Sequence, residues 1–102
     1  MNEIPQITPQ ELRKRLAAGE ELVLIDVREE DEVAFGMIPG AQHIPMGQIP
    51  QQTDKLPSDT EIIFICRSGN RSQRVCEYLQ QFGIQGSNLS GGMIEWDDTS
   101  AE

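Results

Sequence analysis

One of the two cysteines, Cys66, stands where thiols of α/β proteins can react. The apolar run Ile62–Ile65 predicts a buried strand that ends at this cysteine. A polar loop that contains glycine follows, and an amphipathic pattern over 72–82 predicts a helix behind it. The carboxyl end of a strand is where α/β sheets bind ligands, and the loop amides and the helix dipole there favour an anion. We therefore expect the chemistry of this chain to start at the thiol of Cys66.

Basic residues are concentrated around this thiol. Arg67, Arg71 and Arg74 lie within 62–76, a segment without acidic residues in a chain of formal net charge −9. A local positive field lowers the pKa of a cysteine and attracts an anionic substrate. We expect Arg67 and Arg71 to supply that field, whereas Arg74 is better explained as part of a solvated helix face.

The loop offers hydrogen-bond donors in place of a general base. Enzymes usually activate a thiol with a histidine, but the only histidine, His43, follows a predicted turn, and nothing in the sequence brings it to Cys66. Gly69 allows a tight curl in which several N–H groups converge. Ser68 and Ser72 can add hydroxyl donors, and Ser72 is also the predicted N-cap of the helix. An inert cysteine in a buried strand is the alternative, which the basic, small and glycine residues behind it disfavour.

Strands and helices are predicted to alternate, which indicates an α/β fold with a mostly parallel sheet and helices on both faces. The segment Thr8–Glu11 is typical of a helix start with a capping box. The apolar segment 22–27 is typical of a strand covered on both faces, and Pro5 places the first strand at an edge. The predicted strands are 3–7, 22–27, 41–44, 62–65 and 86–90. The predicted helices are 8–19 with its caps, 29–35, short turns within 46–56, 72–82, and a last helix that begins at Gly91-Gly92.

Length and composition indicate one domain, 1–102, with a core over about 4–96 and a polar tail, 97–102, that frays. Two cysteines are too few for a disulfide framework, and neither a membrane-spanning run nor a signal segment is recognisable. We therefore expect a cytoplasmic protein with reduced thiols. The net charge of −9 argues against nucleic acid and membranes as partners, and nothing in the sequence requires more than a monomer.

The loop Cys66–Ser72 resembles the active-site loop of the rhodanese-like sulfurtransferases. Three further segments resemble the other signatures of that family, in the same order and with the same spacing. The resemblance thus covers the chain from about residue 4 to residue 96, and four motifs in register are far more specific than any one of them. The three segments are Leu24–Glu29, Gly36–Ala41, and Leu89–Gly92 with Trp96 behind it.

The resemblance implies a five-stranded, mostly parallel sheet flanked by helices, with Cys66 as the sulfur carrier. In the family this cysteine attacks a sulfane sulfur donor such as thiosulfate and becomes a persulfide, and a thiophilic acceptor (cyanide, a thiol or a reduced protein) then takes the sulfur. The implied partners are thus a small anionic donor and a thiol or protein acceptor. No metal or organic cofactor is implied. The residues implied to bind the donor and the persulfide are Arg67, Ser68, Gly69, Asn70, Arg71 and Ser72.

Two other functions stay open at this point. One is a sulfur-carrier or regulatory module that works only within a partner complex. The other is an arsenate- or phosphate-handling cysteine enzyme, since phosphatases of similar fold have a related loop. Four residues separate Cys66 from Arg71, whereas the phosphatase loop is one residue longer. A tighter loop fits one sulfur atom better than a phosphoryl group, which favours sulfur transfer.

Charged residues elsewhere are expected to support the site or the fold. Asp26, near the end of a predicted strand, is expected either to pair with Arg67 or Arg71 or to have a structural role, as an ion pair or a loop cap. Arg28 and Glu32 have the spacing of an i,i+4 pair.

Four more residues are given structural roles. Cys76 is expected in the core, with a resolving thiol as the alternative. Trp96 is expected to cover the core. Met37 and His43 stand where the family often has histidine and asparagine, and we interpret both as structural changes. The buried stripe of the helix 72–82 is predicted to consist of Val75, Leu79 and Phe82.

Overall fold

The structure, a computed structural model, describes residues 3–99. Five strands in this range form one sheet: β1 (Gln6–Ile7), β2 (Val23–Asp26), β3 (Gln42–His43), β4 (Ile62–Ile65) and β5 (Gly86–Leu89). Their order across the sheet is β1-β5-β4-β2-β3, and every neighbouring pair is parallel. The predicted α/β fold with a five-stranded sheet is confirmed, and β1 lies at an edge, as Pro5 predicts.

Helices connect the strands, as a parallel sheet requires. Two 3₁₀ turns, 46–48 and 53–55, flank the short helix in the middle of the chain, which agrees with the interrupted helical pattern predicted there. Within residues 3–99 no helix is long and apolar enough to cross a membrane. The helices are α1 (Pro9–Ala17), α2 (Glu30–Val33), α3 (Ile49–Gln52), α4 (Asn70–Gln80) and α5 (Gly92–Thr99).

Each face of the sheet has its own hydrophobic core. Along β4, Ile62 and Phe64 belong to one core and Ile63 and Ile65 to the other, and all four are completely buried. Residues of α3 and α4 close the first core, and residues of α1 and α5 close the second. The continuous apolar run of β4 follows from this burial on both faces. Cys66 therefore comes directly after the most enclosed strand of the sheet.

The start of α1 is as predicted. The hydroxyl of Thr8 accepts a hydrogen bond from the amide of Glu11, and the Glu11 carboxylate accepts one from the amide of Thr8. This capping box satisfies two N–H groups that the helix leaves without partners. Leu12 is buried and Leu16 packs against the same core, so one face of α1 covers the sheet.

The helix behind the cysteine loop begins earlier than predicted. Gly69, with a φ of 97°, is the N-cap of α4, so Ser72 lies in the first turn instead of capping it. The predicted stripe is right for Val75 and Leu79 but wrong for Phe82, which lies beyond the helix and is 54% exposed. Hydrophobic spacing does not indicate where a helix ends, and this helix ends before the phenylalanine can turn inward.

The predicted fraying from residue 97 onward is wrong for 97–99. Helix α5 continues to Thr99, which is buried, and Nε of Arg13 donates a hydrogen bond of 2.8 Å to its hydroxyl. The guanidinium of Arg13 also stacks 3.6 Å from the ring centroid of Trp96, a buried residue that covers the second core as predicted. These contacts with Arg13 of α1 stabilise the polar end of α5, which its composition alone would not predict to be ordered. Residues 100–102 of the predicted tail lie outside the described residues.

Candidate active site

Cys66 lies at the carboxyl end of β4 with only 1% of its surface exposed. Its Sγ accepts a hydrogen bond of 3.0 Å from the amide of Gly69 and one of 3.2 Å from the hydroxyl of Ser72. The loop therefore curls back over the sulfur, which is the geometry predicted for a cradle around an anion. Donors that converge on a buried sulfur stabilise the thiolate in preference to the neutral thiol.

The pKa of Cys66 reflects two opposing effects. Burial raises the pKa, because a buried charge loses its hydration. Hydrogen bonds from the Ser72 hydroxyl and from the amides of Ser72, Gly69 and Ser68 lower it, and together they outweigh burial, so that the net shift is downward. The charge of Arg71 also interacts with Cys66, but burial and these hydrogen bonds are the largest causes of the shift. The predicted activation without a general base thus fits the loop, although the arginines contribute less than expected.

Two glycines allow the cysteine loop and the last helix to come close together. Gly92 has a φ of 56°, and a Cβ at this position would lie 2.5 Å from the carbonyl oxygens of both Cys66 and Arg67. The same two carbonyls accept hydrogen bonds of 2.9 and 3.0 Å from the amides of Met93 and Ile94. The first turn of α5 thereby fixes the position of the cysteine loop through backbone hydrogen bonds. At Gly69 a Cβ would lie 3.1 Å from the amide nitrogen of Gly91.

Asn88 is a site residue that we did not predict. It is buried in β5, and its Oδ1 forms a short hydrogen bond with the hydroxyl of Ser72, while its Nδ2 donates to the carbonyl of Gly69 at 3.1 Å. The Ser72 hydroxyl has one hydrogen for two acceptors, Oδ1 of Asn88 and Sγ of Cys66. The available signal was an asparagine within a predicted strand, since asparagine is depleted in strands.

Arg71 forms an ion pair with Glu32, a residue that is distant along the chain. Both of its terminal nitrogens donate to the carboxylate of Glu32, each at 2.7 Å. This bidentate pair lowers the pKa of Glu32 to about 2 and raises that of Arg71. The segment 62–76 has no acidic residue, but the fold brings one from α2 to its arginine. The prediction that Glu32 pairs with Arg28 is wrong, because Arg28 reaches only the Glu32 carbonyl, at 3.5 Å.

Asp26 pairs with Arg28 and not with Arg67 or Arg71. The Arg28 guanidinium donates to the Asp26 carboxylate at 2.8 Å, and the backbone amide of Arg28 donates to the same carboxylate at 3.0 Å. Both side chains are buried, and Arg28 also donates to the carbonyl of Gly36 at 2.7 Å. Of the two roles considered for Asp26, the structural ion pair is the correct one. It fixes the connection between β2 and α2, which carries Glu32.

The remaining predicted loop residues lie on the surface. Arg67, Ser68 and Asn70 are exposed, and Arg74 is exposed on α4, as the interpretation of a solvated helix face requires. Arg67 lines a cavity of about 320 Å³ beside the loop. The lining residues are Arg28, Asp31, Glu32, Phe35, Arg67, Met93, Ile94 and Asp97.

The other cysteine and the histidine have structural roles. Cys76 is completely buried in the first core, which confirms the predicted core position. Burial raises its pKa to about 12, so its thiol stays protonated at neutral pH. The Nε2 of His43 lies 2.7 Å from the carbonyl oxygen of Arg28. Among residues 3–99 no cluster of three or more histidine, cysteine or acidic side chains could hold a metal ion.

The chain is similar to known proteins over nearly its whole length. Residues 8–99 match the rhodanese-like domain family. The protein named "Putative sulfurtransferase YtwF" of Bacillus subtilis is 52% identical over 95 residues, which cover 93% of this chain and 92% of that protein. A protein of Allochromatium vinosum named "Sulfurtransferase" is 42% identical over 94 residues, which cover 91% and 88% of the two chains.

A solved structure supports the same relationship. The crystal structure of a rhodanese-like domain protein from Staphylococcus aureus superimposes with a TM-score of 0.87 at 36% identity and covers 91% of each chain. The matched range contains the cysteine loop, the Asp26–Arg28 segment and the glycines that precede α5. Since the match spans nearly the whole chain in both sequence and fold, this chain belongs to the rhodanese-like domain family.

Proposed function

We propose that this protein is a sulfurtransferase that moves a sulfane sulfur from a donor such as thiosulfate to a thiophilic acceptor through a persulfide on Cys66. The observation that carries the proposal is the buried Sγ of Cys66 with converging donors from Gly69 and Ser72 and a lowered thiol pKa. Relatives named as sulfurtransferases over nearly the whole chain support the same reaction class.

In the first step the Cys66 thiolate attacks the outer sulfur of the donor. A new S–S bond forms at Cys66, the S–S bond of thiosulfate breaks, and sulfite leaves with the bonding electron pair. In the second step the acceptor, as cyanide or a thiolate, attacks the outer sulfur of the persulfide. The thiolate of Cys66 is the leaving group, so the enzyme returns to its initial state without a net redox change. One difficult transfer is thus divided into two displacements.

The donors of the cysteine loop can stabilise Cys66 both as a thiolate and as a persulfide. The amides of Ser68, Gly69 and Ser72 and the hydroxyl of Ser72 point toward Sγ. In the persulfide, the negative charge would lie on the outer sulfur, next to the same loop. Fixed dipoles in a water-poor site stabilise such a charge without reorganisation. Because Cys76 stays protonated in the core, we assign it no part in the transfer.

The test is mass spectrometry of the intact protein after incubation with thiosulfate and removal of excess donor. Wild type is expected to gain the mass of one sulfur atom and to lose it when cyanide is added, with thiocyanate as the product. Cys66→Ala should gain nothing. Cys76→Ala is the matched control, since it removes the other thiol, and it should behave like wild type. Absence of both the adduct and thiocyanate in wild type would refute the proposed function.

A further inference from the structure

The cysteine loop carries less positive charge than its arginines suggest. Arg71 lies in the first turn of α4, directly before Ser72, but both of its terminal nitrogens are bound to Glu32. The side chains of this pair are 33% and 26% exposed, so they are partly shielded from water and stay paired. A guanidinium that already holds a carboxylate in bidentate fashion has little to offer an incoming anion.

The neighbouring cavity is also not cationic. It is lined by two arginines and three acidic residues, and one of these arginines, Arg28, is the buried partner of Asp26. Glu32 is one of the acidic residues and lines the cavity together with Arg67. Within residues 3–99 Arg67 forms no ion pair, so it is the arginine of this cavity that can meet a donor. The thiolate of Cys66 adds a further negative charge.

We propose that Glu32 is a specificity-determining residue that disfavours doubly charged sulfur donors, so that the site takes sulfane sulfur best from donors with one negative charge. This inference rests on the proposed function and refines its donor class. Glu32 acts in two ways. It occupies both terminal nitrogens of Arg71, and it is itself one of the residues that line the cavity beside the loop.

The geometry leads to a quantitative expectation. Coulomb energy is proportional to the charge of the ligand, so a fixed carboxylate opposes a dianion about twice as strongly as a monoanion in free energy. The effect of Glu32 on the rate with a dianionic donor should therefore be about the square of its effect with a monoanionic one. A general disturbance of the loop would instead alter both rates by the same factor.

Two donors of nearly equal size allow this comparison. Thiosulfate has two negative charges, and methanethiosulfonate, in which a methyl group replaces one oxygen, has one. In both cases the Cys66 thiolate takes the outer sulfur, and sulfite or methanesulfinate leaves with the electron pair. Steady-state kcat/KM for each donor, with cyanide as acceptor, is measured for wild type and Glu32→Gln.

In Glu32→Gln we expect kcat/KM to rise about tenfold for thiosulfate and about threefold for methanethiosulfonate, mainly through KM. Both increases should shrink at high ionic strength, because salt screens partly exposed charges. Glu30→Gln is the matched control. It removes the same charge from the exposed face of α2 but breaks no pair with Arg71, and both rates should change less than twofold. Circular dichroism melting of each variant verifies that it is folded.

A second measurement does not depend on sulfur transfer. The pH profile of alkylation of Cys66 by iodoacetamide, a neutral reagent, reports the thiol pKa without any donor. Glu32→Gln should move this profile to lower pH. Without the Glu32 carboxylate, the positive charge of Arg71 stabilises the thiolate of Cys66. The charges of Arg71 and Cys66 already interact in the wild type, where the pKa of Arg71 is raised first by Glu32 and also by Cys66.

The outcomes separate the two proposals. If wild type transfers sulfur from neither donor, the proposed function fails and this inference fails with it. If wild type transfers sulfur but Glu32→Gln leaves both rates unchanged, lowers them or alters them by one common factor, only the role of Glu32 is refuted. An unchanged alkylation profile in Glu32→Gln would also contradict it.

Discussion

At the scale of single residues, the groups that donate hydrogen bonds to the sulfur of Cys66 are neutral. The donors that lower the pKa of Cys66 are the Ser72 hydroxyl and three loop amides. Asn88 binds both the Ser72 hydroxyl and the carbonyl of Gly69, so it keeps the hydroxyl beside the sulfur. The cysteine and its loop could be predicted because their signal is local. Asn88 and Glu32 could not, since each reaches the loop from a distant part of the chain.

We predict that Ser72→Ala raises the pKa of Cys66, because one of the hydrogen bonds that favour the thiolate is lost. A pH profile of iodoacetamide alkylation should shift upward, with the rate at neutral pH reduced by about three- to tenfold. Ser68→Ala is the matched control, since only the amide of Ser68 contributes and alanine retains it. Equal profiles for Ser72→Ala and wild type would contradict this role of the hydroxyl.

At the scale of elements, the N-terminus of the last helix is hydrogen-bonded to the cysteine loop. The first N–H groups of a helix have no partner within the helix. In α5 two of them, on Met93 and Ile94, donate to the carbonyls of Cys66 and Arg67. The approach is close enough that a side chain at Gly92 would collide with both carbonyls. The glycine pair at the start of the helix was recognised in the sequence, but the loop that it contacts was not, because the two segments are distant along the chain.

We predict that Gly92→Ala lowers sulfur transfer at least tenfold, because the added methyl group displaces the cysteine loop or α5. Gly83→Ala is the matched control, since Gly83 also has a positive φ, 76°, but no atom within 4 Å of an added Cβ. Backbone strain should cost each variant about 1–2 kcal/mol of stability, measured by urea unfolding, and Gly92→Ala should lose more because its methyl group also meets the two carbonyl oxygens. If they lose activity equally, close contact with the loop is not what Gly92 provides.

At the scale of the whole molecule, ion pairs and two cores tie the elements together. The Asp26–Arg28 pair fixes the segment between β2 and α2, and the Arg71–Glu32 pair connects α2 to α4. On the other face Arg13 stacks on Trp96 and binds Thr99, which joins α1 to α5. A chain of net charge −9 thus places several of its few basic residues in specific pairs. The stability of the fold should therefore depend on pH.

Glu32 is the group for which this dependence can be predicted. Its pKa is about 2 in the folded protein, against an ordinary value of 4.5, because Arg71 binds its charged form. A lowered pKa means that the stabilisation is fully present above pH 4.5 and is lost as pH falls toward 2. Since both side chains are partly exposed, we expect the pair to contribute about 1–2 kcal/mol at neutral pH.

Urea unfolding at pH 7 and pH 3 tests this expectation. Glu32→Gln should be less stable than wild type at pH 7, and the difference should narrow at pH 3. Glu30→Gln should have the same free energy of unfolding as wild type at both pH values. A difference between Glu32→Gln and wild type that is the same at both pH values would show that the carboxylate charge is not its origin.

The sequence by itself predicted the fold class and the cysteine that we propose as the nucleophile. Hydrophobic period, caps and glycines indicated a parallel α/β sheet, and the loop after β4 identified Cys66, because these signals lie within a few neighbouring residues. Only the tertiary structure decided the charge of the site. It brought Glu32 to Arg71 and placed Asn88 beside Ser72. Ion pairs between distant segments depend on how strands and helices are arranged in space, and spacing along the chain does not record that arrangement.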